Sequence, residues 1–181
     1  MVENGNVFMR ETTIKLRAIA VVDKNWGIGK DGKLLIHIPG DLKFFKEKTL
    51  GNIVIMGRKT LESLPGGKPL DGRITVVISG KLESNDDYYV ADSIDSLFGL
   101  LGKLIEENPG TVPYVAGGDR IYKQLLPYTD ICMITKIDEV FTADKFFENL
   151  DEVPEFQLIR EGPGISENGV TYKFCEYERI R

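Results

Sequence analysis

Six strand-like apolar runs, set apart by helix-like segments, limit the possible folds of this chain, and the first run limits them most. Ile14-Lys15-Leu16-Arg17-Ala18-Ile19-Ala20-Val21-Val22 alternates at its start and then becomes uniformly apolar. Alternation suits a strand with one buried face, whereas a continuous run suits one buried on both, so this strand is expected to enter the middle of a covered sheet. Asn52–Met56, Ile74–Ser79, Tyr88–Ala91, Val112–Ala116 and Asp130–Ile137 follow as further strands. Helical segments fall from Pro39, at Leu61–Leu64, from an Asp92 or Ser93 cap to about Glu107, and to Leu126 after Gly117-Gly118. From Phe156 the pattern changes to two alternating strands, Phe156–Arg160 and Val170–Glu178, with Gly162-Pro163-Gly164 and Asn168-Gly169 marking the turn region. The expected architecture is one α/β domain over residues 14–181, with a mostly parallel central β-sheet flanked by helices and a C-terminal antiparallel hairpin.

A chain of 181 residues, 42% hydrophobic, is long enough to bury a core as a single domain. A net charge of −5 argues against a nucleic-acid footprint or a polybasic membrane patch and favours a small ligand or soluble partner. Cys132 and Cys175 lie far apart, and one His leaves no zinc-ligand spacing, so reduced core thiols and no metal site are expected. Residues 1–13 are polar and lack a signal-peptide apolar region, and no apolar run reaches the ~18 residues of a membrane helix. A cytoplasmic monomer with a loose N-terminal extension over residues 1–13 is the resulting expectation.

One stretch places an acid among apolar neighbours: Leu34-Leu35-Ile36-His37-Ile38-Pro39-Gly40-Asp41-Leu42-Lys43-Phe44-Phe45-Lys46. Pro39 suits a first helical turn, where its missing N–H costs nothing, and Asp41 follows within that turn. Leu42, Phe45, Thr49 and Leu50 recur at helical steps, which puts Asp41 near the edge of an apolar face. Asp41 is then either a solvated acid at a positive helix end or a carboxylate of raised pKa in an apolar cleft. Ahead of it, Asp23–Lys33 contains G-x-G-x-x-G at Gly27, Gly29 and Gly32. The dinucleotide fingerprint requires a helix to open within those glycines, and here the helix waits for Pro39, so the match is rejected. A mobile lid is the preferred reading, with an ordinary hairpin-like surface loop as the other.

Two junctions combine strand, glycine, cation and helix start: Gly57-Arg58-Lys59-Thr60 and Gly117-Gly118-Asp119-Arg120-Ile121-Tyr122. Either alone is an anion site or a solvated cap; together they suggest the two phosphates of a dinucleotide. Arg73, after the turn Leu70-Asp71-Gly72, is either a bidentate carboxylate clamp or an ordinary surface Arg. Thr135 needs no explanation beyond β-propensity.

In this order the pieces resemble dihydrofolate reductase. The likeness spans Leu16 to Glu178 and rests on Ala20, Asn25, Gly27-Ile28-Gly29, Ile38–Lys46, Val54–Ser63, Pro69–Arg73, Val115–Tyr122 and Ile134–Ile137. The resemblance implies NADPH-dependent reduction of 7,8-dihydrofolate to tetrahydrofolate, with hydride passing to C6 and a proton to N5. It makes Asp41 the only ionisable group of the pterin pocket, bonding the 2-amino group and N3, with Thr135 either supporting the carboxylate or binding the amino group. Leu34, Ile36 and Tyr122 join them as catalytic-site residues, and Ala20, Val21 and Ala116 line the pocket, Ala20 and Ala116 also toward the cofactor. Phe45 would pack on the p-aminobenzoyl ring beside Leu42, Leu64 and Leu70, and Arg73 would clamp the glutamate α-carboxylate. Ile28, Gly29 and Leu34 belong to the loop over the nicotinamide. Gly57, Arg58, Lys59, Thr60 and Gly118, Asp119, Arg120 and Ile121 would hold the cofactor pyrophosphate, Arg58 with Ser79 would face the adenosine side, and Gly117 and Tyr122 belong to the same cofactor site. Gly117-Gly118 is the pair the family holds as a cis peptide.

Three departures from the family pattern stand out. Ile36 replaces a usual Trp and offers no donor for a water beside the pterin. Val21 and Ala116 reshape the pocket, so diaminopyrimidine antifolates are expected to bind more weakly than folate-sized ones. Gly80 lacks the side chain that often meets the 2′-phosphate, leaving Lys59 or Lys81 to substitute. Two rival readings account for fewer of these residues. A same-fold reductase of a pyrimidine intermediate in riboflavin synthesis gives no reason for Asp41 or Arg73, and a non-catalytic pteridine or dinucleotide binder is disfavoured by Asp41 and the cofactor glycines.

Overall fold

The computed structural model describes residues 14–180, so the extension expected over residues 1–13 lies outside the described residues. In chain order the elements are β1 (Leu16–Val22), β2 (Gly27–Lys30), β3 (Lys33–Leu34), α1 (Pro39–Thr49), β4 (Ile53–Gly57), α2 (Arg58–Ser63), β5 (Ile74–Ile78) and β6 (Tyr89–Ala91). They continue as α3 (Ile94–Glu107), β7 (Pro113–Val115), α4 (Asp119–Leu125), β8 (Thr129–Ile137), β9 (Lys145–Phe146), β10 (Phe156–Glu161), β11 (Ile165–Glu167) and β12 (Val170–Arg179). The main sheet runs β10-β12-β8-β1-β7-β4-β5-β6, with β11 also on β12. Every pair from β8 across to β6 is parallel, and β12 is antiparallel to β8, β10 and β11.

The continuous apolar run does what its composition requires. Leu16 and Val22 of β1 are fully buried, since β1 sits between β7 and β8 with both faces covered. Alternation along β4 divides the core: Ile53 and Ile55 pack with Leu97, Leu101 and Leu104 of α3 and Leu125 of α4, while Val54 and Met56 pack with Leu61 of α2. Ser93 starts α3 through a reciprocal box in which its Oγ accepts the Ser96 N–H and the Ser96 Oγ accepts the Ser93 N–H. Cys132 and Cys175 are buried and unpaired, and burial pushes the Cys132 thiol up to about 12.

Three local expectations change. The glycine-rich segment is not a long loop: β2 and β3 form a hairpin, joined by Asp31 and Gly32 at φ 49° and 74°, and β2 also pairs with β9 in a small second sheet. Consecutive positive φ values are those of a two-residue type I′ turn, whose twist matches paired strands. Helix α2 starts at Arg58 rather than Leu61, because the chain turns helical directly after Gly57. The C-terminal hairpin has a third strand. Asn168 and Gly169, at φ 51° and 76°, turn β11 into β12, and Gly162-Pro163-Gly164 interrupts a single edge that β10 and β11 share along β12. A proline cannot donate to the ladder, so that edge breaks there.

Candidate active site

The site begins where α1 starts. Pro39 opens the helix and Asp41 lies in its first turn, half-buried, with Oδ1 accepting the Thr135 hydroxyl at 2.7 Å. Thr135 is 2% exposed and sits on β8 opposite Val21 of β1 and Phe174 of β12. Its hydroxyl therefore has a use beyond β-propensity. Burial raises the Asp41 pKa above 3.8, opposed by the Thr135 hydrogen bond, which favours the carboxylate. Asp41 is thus a half-buried, hydrogen-bonded acid in the first turn of α1, not a fully solvated one.

Apolar side chains wall this acid. Val21, Ile36 and Phe174 pack against Ile38, Ile137 and Tyr172, so Ile36 fills space here without contributing a polar atom. Phe45 and Ala116 pack beside Ile19, Tyr114 and Met133. The helix stripe is split in a way its spacing does not show. Phe44 turns inward and stacks on Phe174 with centroids 4.3 Å apart, Thr49 is fully buried, and Leu42 and Leu50 remain 39% and 50% exposed. Leu64 lies half-buried against the cluster of Val54 and Met56, and Leu70 is half-buried near the start of β5.

Arg73 is anchored rather than loose. Its Nε donates to Thr49 Oγ1 at 3.1 Å and Nη1 to the Asp71 carbonyl at 2.7 Å, which orients the planar guanidinium beside α1. Partial burial lowers its pKa, with Asp71 opposing, but from 12.5, so the cation persists at neutral pH.

The two glycine junctions meet. The Gly57 N–H donates to the Gly117 carbonyl at 2.8 Å, and Gly117-Gly118 is a cis peptide. A Cβ on Gly57 would lie 3.1 Å from Ile121 Cγ1, and one on Gly118 3.4 Å from Thr60 Oγ1, so both glycines keep the two backbones in close approach. The starts of α2 and α4 thus adjoin, a cradle of first-turn N–H groups that lack helical acceptors. Such N–H groups favour an anion. Arg58 is paired with Glu62, Lys59 and Arg120 are exposed, and Asp119 is half-buried at the first turn of α4. Along the neighbouring strand end, Ser79 Oγ accepts the Lys81 N–H at 3.1 Å, and Gly80 is exposed with open space around it. Ala116 packs against clusters on both the cradle side and the acid side, so the two halves of the cleft adjoin.

Tyr122 is a strut. Its buried hydroxyl donates to the Ile19 carbonyl at 2.7 Å, and burial, with Asp41 and Cys132 nearby, holds its pKa well above that of a free phenol. Ala20 and Ile28 are half-buried against the core, and Leu34 at the end of the hairpin is 57% exposed. The hairpin is tied down at its tip, where Asp144 accepts the Asp31 N–H and donates its own N–H to the Gly29 carbonyl, both at 3.0 Å. At its base Asp23 is buried with its carboxylate taking the N–H groups of Asn25, Gly27 and Phe141. Asp23, Asp144, Phe44, Glu167 and Tyr172 take structural parts that no motif in the sequence marks out. Of these only Asp23 carries even a local signal, an Asx-type turn following a strand.

A half-buried acid in the first turn of α1 and two adjoining strand–glycine–helix junctions, set on a mostly parallel sheet, define an α/β domain with an enzyme-like set of groups. The family model described as dihydrofolate reductase matches residues 15–179. A dihydrofolate reductase of Enterococcus faecium is 37% identical over 164 residues, covering 87% of this chain and 93% of that protein. One of Bacillus subtilis is 36% identical over 163 residues, covering 89% and 92%. The solved dihydrofolate reductase from Enterococcus faecalis complexed with NADP(H) and RAB-propyl superposes with a TM-score of 0.78 at 31% identity, covering 92% of this chain and 97% of that one. The chain belongs to the dihydrofolate reductase family.

Proposed function

We propose that this cleft reduces 7,8-dihydrofolate to 5,6,7,8-tetrahydrofolate with NADPH, Asp41 being the carboxylate that holds the pterin. The observation that carries this assignment is the pairing of a desolvated Asp41 with the Thr135 hydroxyl at 2.7 Å, beside the apolar side chains of Val21, Ile36, Ile38 and Phe174. Asp41 accepts from the 2-amino group and N3 of the ring, and Thr135 fixes the carboxylate's orientation. Phe45, with Leu42, Leu64 and Leu70, takes the p-aminobenzoyl ring, and Arg73, held by Thr49, presents its free edge to the glutamate α-carboxylate. Gly57, Thr60, Gly117, Gly118 and Ile121 form the cradle for NADPH, with Arg58, Lys59, Asp119 and Arg120 at its rim and Ser79, Gly80 and Lys81 beyond the end of β5. When bound, NADPH supplies the hydride for C6. Ile28, Gly29 and Leu34 cover the cleft from the hairpin, and Ala20, Val21, Ile36, Ala116 and Tyr122 shape its floor.

A cytoplasmic monomer fits the acidic net charge and two unpaired buried cysteines. Among the described residues no helix is long and apolar enough to cross a membrane. Size-exclusion chromatography with light scattering reads the oligomeric state. The activity is read by mixing purified protein, NADPH and dihydrofolate and following loss of NADPH absorbance. Absence of turnover at saturating cofactor would reject the assignment.

A further inference from the structure

The first turn of α1 is secured from outside the helix. Ile38 offers no side-chain cap, Pro39 has no N–H to satisfy, and the N–H groups of Asp41 and Leu42 both return to the Ile38 carbonyl, at 3.0 and 3.1 Å. The Gly40 N–H goes instead to the carboxylate of Glu167, 127 residues away, at 3.2 and 3.1 Å from its two oxygens. Glu167 also accepts the Tyr172 hydroxyl at 2.9 Å, and the neighbouring Asn168 Nδ2 donates to the His37 carbonyl at 2.9 Å. Gly40 permits this approach: a Cβ there would overlap the Tyr172 hydroxyl and lie 2.7 Å from Glu167 Oε2.

These contacts close a ring around Asp41. Glu167 ends β11, the type I′ turn at Asn168-Gly169 fixes it against β12, and β12 carries both Tyr172 and Phe174. Phe174 pairs with Thr135 on β8, and Thr135 donates to Asp41. One hairpin therefore sets both the helix that bears the acid and the strand that bears its donor. A carboxylate at a helix start also suits the partial positive charge there.

We infer that Glu167 is a positioning residue for dihydrofolate reduction, its bond to the Gly40 N–H fixing Asp41 at the height where the carboxylate meets both Thr135 and the pterin. This rests on the assignment of Asp41 as the pterin-binding carboxylate. Glu167→Ala, Glu167→Gln and Tyr172→Phe are compared with the unaltered protein by steady-state kinetics at saturating NADPH and by NADPH titration. In Glu167→Ala, KM for dihydrofolate rises about fivefold and kcat falls about tenfold, because a small misplacement of a reacting group is costly, while the NADPH Kd stays within about twofold. Glu167→Gln regains most of both, since its amide oxygen still accepts from Gly40. Tyr172→Phe removes only the hydroxyl's bond to Glu167 and moves KM less, in the same direction. A protein that is merely less stable has fewer active molecules at unchanged KM, and the NADPH stoichiometry counts them. Should the alanine protein not fold, Glu167→Asp, which keeps the charge and shortens the reach, carries the same expectation. Unchanged KM and kcat per NADPH-binding site in Glu167→Ala, or a Gln variant as impaired as the Ala variant, overturns this inference alone. No turnover by the unaltered protein overturns it together with the substrate assignment.

Discussion

Asp41→Asn separates what the acid does for catalysis from what it does to the fold. Asparagine is nearly isosteric and its Oδ1 can still accept the Thr135 hydroxyl, which now donates at 2.7 Å. The charge is what disappears. Burial raises the folded-state pKa of Asp41 above 3.8, so its ionised form is worse accommodated in the fold than in the unfolded chain. A group shifted in this sense contributes stability that is fully present below its unfolded pKa and is lost as pH rises through the folded value. At pH 7 the ionised carboxylate therefore weakens the fold, and the Asn variant is expected to be the more stable protein. Against this, exchanging a charge-assisted hydrogen bond for a neutral one costs on the order of 1 kcal/mol, so the gain at pH 7 is what remains of the burial penalty after that loss. The advantage should vanish as pH falls below 3.8, where Asp41 is neutral in both states. Catalysis moves the other way. Loss of the carboxylate is expected to lower kcat/KM about 10²–10⁴-fold at neutral pH, about 2.7–5.4 kcal/mol of transition-state stabilisation, with partial recovery in acid where substrate protonation no longer depends on it. Thermal melts across pH and initial rates across the same range read both effects. A variant with unchanged kcat/KM at every pH, or one less stable at pH 7 than the unaltered protein, would refute this account.

Thr135→Val removes the donor that favours ionised Asp41, so the acid limb of the kcat/KM profile should move to higher pH, with a stability loss of about 1 kcal/mol in chemical denaturation. Arg73→Lys should raise KM for dihydrofolate roughly 30-fold, about 2 kcal/mol, because Lys cannot offer the planar edge that Thr49 orients; a pteroate lacking the glutamate should not distinguish the two proteins in binding assays. Gly57→Ala places a Cβ 3.1 Å from Ile121 Cγ1 at the cradle, and calorimetric titration should show NADPH affinity weakened at least about tenfold with Tm little changed. Gly80→Arg enters open space and should increase the NADPH-to-NADH ratio of kcat/KM about tenfold. Ile36, Val21 and Ala116 together should make a diaminopyrimidine a weaker inhibitor than a folate-sized antifolate, and equal potency in an inhibition series would contradict that.

The sequence by itself determined the eight strands of the order β10-β12-β8-β1-β7-β4-β5-β6, though not the short β2, β3, β9 and β11, together with the alternation of helices between them and the start of α1, because these follow from local quantities. A continuous apolar run such as Ile14–Val22 must be covered on both faces, and Pro39 sets the helix start. The sequence also carried the Gly57 and Gly117 junctions and Asp41, since each is a short motif of neighbouring residues. Only the tertiary structure decided what these pieces face. Asp31 and Gly32 became a tight turn because β9 supplied a partner for β2. Phe44 rather than Leu42 turned inward because Phe174 waits there. Thr135 is 94 residues from Asp41 and Glu167 is 127 from Gly40. Neither pairing leaves a trace in spacing, because a hydrogen bond between distant residues depends on strand register and helix placement. That is why the acid was visible in the sequence and Thr135 was reached only through the family resemblance, while Glu167 and Tyr172, which hold the helix start, emerged only once β11 and β12 had packed around α1.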